Sequence, residues 1–78
     1  MTVFMKLKIA FGKRLRFARE MREMTQAAVG KAAGLDQTVV AHFEAGRRAP
    51  SLESLKAVAK AVMVSADYLI GLSEKIER

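Results

Sequence analysis

Residues 25–50 read TQAAVGKAAGLDQTVVAHFEAGRRAP, and the prediction of the fold starts from the second half of this run. Asp36 has the short acceptor side chain that caps a helix N-terminus, and Gly46 is the residue type that commonly follows a helix C-terminus. The nine residues between them, 37–45, are therefore predicted to form one short helix.

This predicted helix has two unlike sides when about 100° of rotation is assigned to each residue. Val39, Val40 and Phe43 share one side, and the opposite side carries Gln37, Thr38, Ala41, His42 and Ala45. That second side holds small or hydrogen-bonding groups without formal charge, and Glu44 lies at its border. A surface helix ordinarily carries charged residues there, so we expect this side to lie against a partner.

A second short helix is predicted just before it. Thr25 is a good N-cap, and the alanines that follow favour helix formation. Gly34 then allows a left-handed turn, and Leu35 can pack before Asp36 begins the next helix. Two short helices joined by a turn with glycine form the helix-turn-helix arrangement, in which the second helix enters the major groove of DNA.

Ordered matches to one known family extend beyond these two helices. They are Gly12, Leu15, Arg19, Thr25, Gln26, Gly34, Gln37, Val40, Glu44, Gly46, residues 50–52, Leu55, Val58, Ala59 and residues 64–69. The stretch 11–71 resembles a helix-turn-helix domain of the phage-repressor, Cro and XRE type. The resemblance implies an all-α fold, a compact five-helix bundle of the lambda-repressor kind. It also implies a transcriptional regulator, a repressor, that binds specific double-stranded DNA sequences.

Four positions differ from the residues that are common in that family. Glu23 and Met63 stand where Gly or Asn commonly ends a helix. Gly30 replaces a usual alanine, which lowers helix propensity by roughly 0.5–1 kcal/mol but permits close helix contact. Ala41 stands where a polar residue is common, at a position that reads bases.

The resemblance and the two-sided helix together predict the DNA contacts. The base-reading residues are predicted to be Gln37, Thr38, Ala41 and His42. The phosphate-binding residues are predicted to be Gln26, Arg47, Arg48, Lys13, Arg14, Arg16 and Lys31, although any of them can instead be an ordinary solvated surface residue. In the family, the residue at position 26 contacts phosphate and can brace the glutamine that starts the reading helix. The family also pairs the residues at Arg19 and Glu44 in a structural ion pair.

The net charge of +6 is distributed unevenly along the chain. Residues 1–24 carry seven basic and two acidic side chains, residues 25–46 carry one and two, and residues 47–78 carry six and four. The positive field therefore comes from the flanks of the predicted reading helix. That division suits a protein that holds phosphates with its surroundings and reads bases with a neutral helix, although small soluble proteins are also often basic.

The composition limits the remaining function classes. Seventy-eight residues make one domain, near the size at which a single core barely suffices, so oligomerisation would help. With no cysteine and one histidine, we expect no disulfide, metal site or cofactor. The sequence has no nucleophile–base set and no glycine-rich phosphate loop, so no enzyme is expected. Without a signal peptide or a long apolar span, the expected location is cytoplasmic, with no membrane partner.

The predicted organisation is an N-terminal arm at 1–7, the helix-turn-helix domain at 8–73 and a frayed tail at 74–78. Helices are expected at 8–22, 26–33, 37–45, 52–62 and 66–72. The arm has two other interpretations, because residues 3–9 alternate as a strand would and can equally extend the first helix backwards. A membrane anchor is a third interpretation, but this segment is too short to favour it.

The predicted core comprises Leu15, Ala18, Val29, Leu35, Val40, Phe43, Leu52, Leu55, Val58, Ala59 and Leu69. A second apolar stripe on the first helix, formed by Ala10, Phe17 and Met21, either widens the contact with the chain's own termini or contacts another subunit. We expect a homodimer, with an interface around Tyr68, Ile70 and Leu72 that the arm can join. The alternative function is an antitoxin or adaptor module that acts mainly through protein–protein contacts, with or without DNA binding.

Overall fold

A computed structural model of the chain describes residues 2–77, and all regular structure in that range is helical. The helices are α1 (Val3–Met21), α2 (Gln26–Ala33), α3 (Gln37–Glu44), α4 (Leu52–Val62) and α5 (Ala66–Leu69). Helix α2 packs against α3 and α4, while α1 contacts α3, α4 and α5. The predicted all-α five-helix bundle is confirmed.

Each helix begins directly after a short polar residue that caps it. The five caps are Thr2, Thr25, Asp36, Ser51 and Ser65, and each side chain accepts a backbone N–H two or three residues later at 2.8–3.2 Å. The caps satisfy N–H groups that have no partner within the helix. These local signals explain why four of the five helix starts agree with the sequence prediction to the residue.

Each helix also ends in a left-handed residue that folds the chain back onto the last carbonyls. The five are Glu23, Gly34, Gly46, Met63 and Gly71, with φ between 55° and 84°. At the end of α5, for example, the Leu72 N–H donates to the Asp67 carbonyl oxygen at 2.8 Å. Glu23 and Met63 thus do end helices, although a side chain in this conformation costs roughly 1–2 kcal/mol.

The core runs through all five helices. Its buried members are Phe11, Leu15, Ala18, Val29, Val40, Phe43, Val58, Ala59, Val62, Val64, Tyr68 and Leu69. Eight of the eleven predicted core residues are among them, and Leu35 and Leu55 are half-buried against the same cluster. The prediction for Leu52 is wrong, because its side chain is 81% exposed. It occupies the first turn of α4 at the edge of the buried face, where no other helix of residues 2–77 covers it.

The N-terminal prediction also needs correction. Helix α1 begins at Val3, so residues 3–7 are its first turns and not a separate arm, while Met1 lies outside the described residues. The structure agrees with the alternative that these residues extend the helix backwards. Thr2 caps this earlier start, and the segment holds good helix formers but finds no strand with which to pair.

The end of the chain contacts the domain as far as Ile76. The backbone N–H of Ser65 donates to the carbonyl oxygen of Ile76 at 2.9 Å, and Ile76 packs against the core. The Ser65 hydroxyl donates to the Lys75 carbonyl oxygen at 3.2 Å. The tail therefore returns to the start of α5, whereas Arg78 lies outside the described residues.

Candidate nucleic-acid interface

Helices α2 and α3 are joined by a tight turn. Gly34 ends α2 with φ 72°, and the N–H of Leu35 donates to the Gly30 carbonyl oxygen at 2.8 Å. A Cβ at Gly30 would lie 2.6 Å from the Leu35 carbonyl oxygen. Glycine at position 30 therefore permits the close contact that the sequence predicted, and this contact fixes how α3 leaves the turn.

Helix α3 buries the apolar side that the sequence assigned to it. Val40 and Phe43 are buried, and the Phe43 ring meets Phe11 of α1 edge to face with centroids 5.4 Å apart. Because aromatic pairs favour this geometry, the contact helps to fix the rotation of α3 about its own axis. The uncharged side consequently faces away from the core.

The four predicted base-reading residues share that outward side. Gln37 and Thr38 are exposed in the first turn of α3, and Ala41 and His42 follow one turn later, half-buried. The N-terminal end of α3 is therefore the more open part of this side. Asp36 caps it by accepting the Thr38 N–H at 2.8 Å, and this hydrogen bond lowers the pKa of Asp36 below its ordinary value.

The ion pair predicted between Arg19 and Glu44 is present. Arg19 Nε donates to Glu44 Oε2 at 2.7 Å and Nη2 donates to Oε1 at 2.9 Å, while Nη1 donates to the Met24 carbonyl oxygen. Both side chains are nearly buried, 13% and 4% exposed. The hydrogen bonds that Arg19 donates to Glu44 raise the pKa of Arg19 above its ordinary value, because the carboxylate favours the charged guanidinium, and burial opposes this effect. The pair ties α1 to the C-terminal end of α3.

Gln26, at the first position of α2, joins this pair. Its Nε2 donates to Glu44 Oε1 at 3.2 Å, and the residue is half-buried. The expected bracing of Gln37 by Gln26 is not among the hydrogen bonds of this structure. The side chain of Gln26 is instead held from behind by the last residue of α3.

Five of the six predicted basic phosphate contacts are exposed. They are Lys13, Arg16, Lys31, Arg47 and Arg48. Arg16 makes one long contact with Glu20 on its own helix, at 3.4 Å. Arg47 and Arg48 lie in the loop after α3, so they are closest in sequence to the predicted reading side.

Arg14 differs from these five residues, because its side chain makes several contacts within the domain. Its Nη1 donates to the carbonyl oxygens of Tyr68 and Ser73 at 2.9 and 3.2 Å, and Nη2 pairs with Glu74 at 2.8 Å. Its guanidinium also lies 4.7 Å from the centre of the Tyr68 ring. These contacts use the side chain to fasten α5 and the chain end to α1.

Arg22 is a structural residue that the sequence reasoning missed. Its Nε donates to the Val62 carbonyl oxygen and its Nη2 to that of Met63, both at 3.0 Å, at the end of α4. A signal was available, because Arg22 lies seven residues after Leu15 on the same face of α1. Helical periodicity therefore places Arg22 next to the buried face, although the residue itself is exposed.

No helix within residues 2–77 combines the length and apolar character that crossing a bilayer requires. A family model described as helix-turn-helix matches residues 15–69, which is most of the chain and includes α2, α3 and the loop that follows α3. The chain belongs to the helix-turn-helix family. The match begins inside α1 and ends with α5, so it contains the Arg19–Glu44 pair as well as α2 and α3.

This helix-turn-helix chain has relatives among phage repressors. It is 36% identical over 59 residues to repressor protein C2 of Salmonella phage P22, a match that covers 76% of this chain and 27% of the relative. It is 33% identical over 60 residues to the immunity repressor protein of Bacillus phage phi105, which covers 77% of this chain and 42% of that protein. The chain thus spans less than half the length of these two relatives.

Solved structures share the helix-turn-helix fold. The P22 c2 repressor in complex with a synthetic operator is 35% identical, with a TM-score of 0.74, over 77% of this chain and 91% of that one. The restriction-modification controller protein C.AhdI from Aeromonas hydrophila is 31% identical, with a TM-score of 0.76, over 80% and 94% of the two chains.

Proposed function

We propose that this helix-turn-helix domain binds specific double-stranded DNA sequences as a homodimeric transcriptional repressor and reads the major groove with α3. The observation that carries the proposal is the outward side of α3. It is uncharged in a protein of net charge +6, and it is fixed in place by the buried Phe43 and the ion pair of Glu44. A neutral side held on a rigid support is what base reading requires, because small displacements break hydrogen bonds to base edges.

The surrounding basic residues supply the attraction to DNA. Arg47 and Arg48 are exposed directly after α3, and Lys31 is exposed on α2. Exposed cations release counterions from the phosphate backbone when they bind it, so they add affinity that does not depend on sequence. Phosphate contacts of this kind set the register of the protein, and the base contacts of α3 then supply specificity.

The relatives support DNA binding and repression. The P22 c2 repressor, which shares the fold at 35% identity, was solved on an operator, and two curated relatives are named as repressors. Both relatives are much longer than this chain, so their regulatory activity is carried over here only as part of the proposal.

Each reading residue has a contact that its chemistry favours. Gln37 can bind adenine N6 and N7 in bidentate fashion, and Thr38 can bind a base edge or phosphate, or pack its methyl on thymine. Ala41 offers only an apolar contact, so it either contacts a thymine methyl group or contributes nothing to base recognition. His42 can donate to guanine O6 or N7, or to a phosphate.

A groove on another face supports the homodimer. This dimer groove has a volume of about 580 Å³ and lies between the start of α1, the loop before α4 and the end of α5. Its lining residues are Phe4, Leu7, Lys8, Phe11, Ala49, Pro50, Leu55, Ile70 and Leu72. Monomeric proteins rarely expose large contiguous apolar patches, and a two-fold axis lets one patch cover its own copy.

The dimer groove refines the interface expected from the sequence. Phe4 and Leu72 are 77% and 75% exposed beside it, and Ile70 is half-buried. Tyr68, in contrast, is buried in the core beneath Arg14, so it supports the interface from within. A dimer gains specificity because it joins two half-sites about one helical turn of DNA apart, roughly 34 Å.

Selection of bound duplexes from a random pool tests the proposal. We expect an enriched site with two-fold symmetry and half-sites about one helical turn apart. Binding to that site should fall steeply with salt, because counterions are released. Recovery of no common sequence, together with a stable complex between this chain and a co-encoded protein, would instead support the adaptor or antitoxin function.

A further inference from the structure

The carboxylate of Glu44 is a junction between two other side chains. It accepts hydrogen bonds from Arg19 at 2.7 and 2.9 Å, and Gln26 Nε2 donates to the same Oε1 that Arg19 Nη2 contacts. Its side chain is only 4% exposed, so solvent competes little for these bonds. The junction therefore connects α1 and the end of α3 to the first residue of α2.

The chemistry of the junction determines which way the amide of Gln26 faces. An ionised carboxylate only accepts hydrogen bonds, so Gln26 must turn its nitrogen, and not its carbonyl oxygen, toward Glu44. Arg19 offsets the negative charge of the Glu44 carboxylate, since a guanidinium does not lose its proton in proteins. One N–H of Gln26 is thereby used, and the other N–H is left for a second acceptor.

We propose that Glu44 is a positioning residue for DNA binding, because it fixes the amide of Gln26 so that its remaining N–H meets a DNA phosphate. The inference rests on the proposed function, in which Gln26 binds phosphate. A phosphate oxygen also only accepts, so an unrestrained glutamine would have to select one amide orientation on binding. An amide already held from behind loses less conformational freedom when the complex forms.

A double-mutant cycle on the selected duplex tests this role. In the unaltered protein, Gln26→Ala should weaken binding about tenfold, as expected for loss of a hydrogen bond to a charged group. In the Glu44→Gln background, where the amide is no longer fixed, the same change should cost about threefold or less. Arg47→Ala is the matched control, and its effect should be equal in both backgrounds because no hydrogen bond or ion pair joins the Arg47 side chain to Glu44.

The outcomes separate this inference from the proposed function. Equal losses from Gln26→Ala in both backgrounds would show that Glu44 is only structural and would overturn the inference. No loss in either background would remove Gln26 from the DNA interface and overturn the inference too, while a loss from Arg47→Ala would still support DNA binding. Failure of the unaltered protein to bind any duplex would refute the proposed function itself.

Glu44→Gln also weakens the ion pair, so binding is measured at low temperature after circular dichroism shows that the variant is helical. If it does not fold, nuclear magnetic resonance of the unaltered protein supplies a second test. One side-chain amide proton of Gln26 should exchange more slowly with water than those of exposed Gln37, and the other should shift when duplex is added. Equal exchange of the Gln26 and Gln37 amide protons would overturn the proposal.

Discussion

The guanidinium of Arg14 lies 4.7 Å from the centre of the Tyr68 ring and donates a 2.9 Å hydrogen bond to the carbonyl oxygen of the same residue. A further bond reaches the Ser73 carbonyl oxygen, and Glu74 completes the set. Arg14 therefore binds both the buried part of α5 and the segment that follows it. Its guanidinium therefore contributes to the fold of the domain.

Replacing Arg14 by alanine should lower stability by about 1.5–3 kcal/mol, because charged hydrogen bonds to two carbonyl groups are lost. For a domain of this size each kcal/mol corresponds to about 4–8 °C in Tm, which thermal unfolding measures. Arg16→Ala is the matched control, since that exposed side chain makes one long ion pair, and its Tm should hardly change. The salt dependence of DNA binding should be the same for Arg14→Ala as for the unaltered protein. If the affinity of Arg14→Ala for DNA depended less steeply on salt than that of the unaltered protein, Arg14 would be a phosphate contact after all.

The residues that the sequence placed correctly are those whose structure is set by near neighbours. Asp36 caps α3, and Val40 and Phe43 repeat at helical spacing, so the position and buried side of α3 follow from a few adjacent residues. The ion pair of Arg19 and Glu44 spans 25 positions, and it was predicted only because the family resemblance supplied the partner.

The errors concern properties that depend on distant parts of the chain. Arg14 and Arg47 are alike in sequence, and only the return of the chain end to α1 separates a structural arginine from an exposed one. Leu52 fits the period of α4, yet its burial depends on whether another helix covers the first turn. The alternating pattern of residues 3–9 can form a strand only beside a neighbouring strand. These residues instead form a helix, and Thr2 caps its start.

Gly12 lies where α1 crosses the end of α3. A Cβ at this position would collide with the Phe43 carbonyl oxygen, which is backbone and cannot rotate away. Gly12→Ala should therefore lower stability by about 1–3 kcal/mol despite the better helix propensity of alanine. Lys13→Ala, at an exposed neighbouring position, should stay within about 0.5 kcal/mol. Denaturant unfolding of both variants measures the difference, and an unchanged or higher stability of Gly12→Ala would contradict the observed crossing.

Asp36 should make stability depend on pH at the acidic end. The Thr38 N–H lowers the pKa of this carboxylate in the folded state below its ordinary value of 3.8. Because the pKa of Asp36 is lower in the folded than in the unfolded state, its ionised form stabilises the fold. This stabilisation is complete above the unfolded-state pKa and is lost as the pH falls through the folded-state pKa. Asp36→Asn keeps a good cap without a titrating group, so its Tm should fall less than that of the unaltered protein below about pH 4. If the Tm of the unaltered protein and that of Asp36→Asn fell equally with decreasing pH, Asp36 would not be the source of the pH dependence.

The proposed homodimer predicts a specific effect of a substitution at Phe4. The substitution Phe4→Glu should leave α1 folded but remove an apolar side chain and place a charge at the apolar dimer groove. Sedimentation equilibrium at tens of micromolar should then change from dimer to monomer. Met5→Glu is the matched control, because Met5 is also exposed on α1 but does not line the groove. If the unaltered protein is a monomer both free and on DNA, the dimer is wrong. If both variants remain dimeric, the interface lies elsewhere.

The last prediction separates base reading from phosphate binding. Gln37 is exposed at the open end of α3, so Gln37→Ala should cost about 1–3 kcal/mol on the selected site and relax preference at one base position. Arg47 lies in the loop after α3, so Arg47→Ala should weaken all duplexes alike and lower the salt slope by about one unit. Titration of both variants against selected and random duplexes at several salt concentrations measures both effects. The base-reading side of α3 would be wrongly assigned if Gln37→Ala weakened the two duplexes equally while Arg47→Ala changed the preferred sequence.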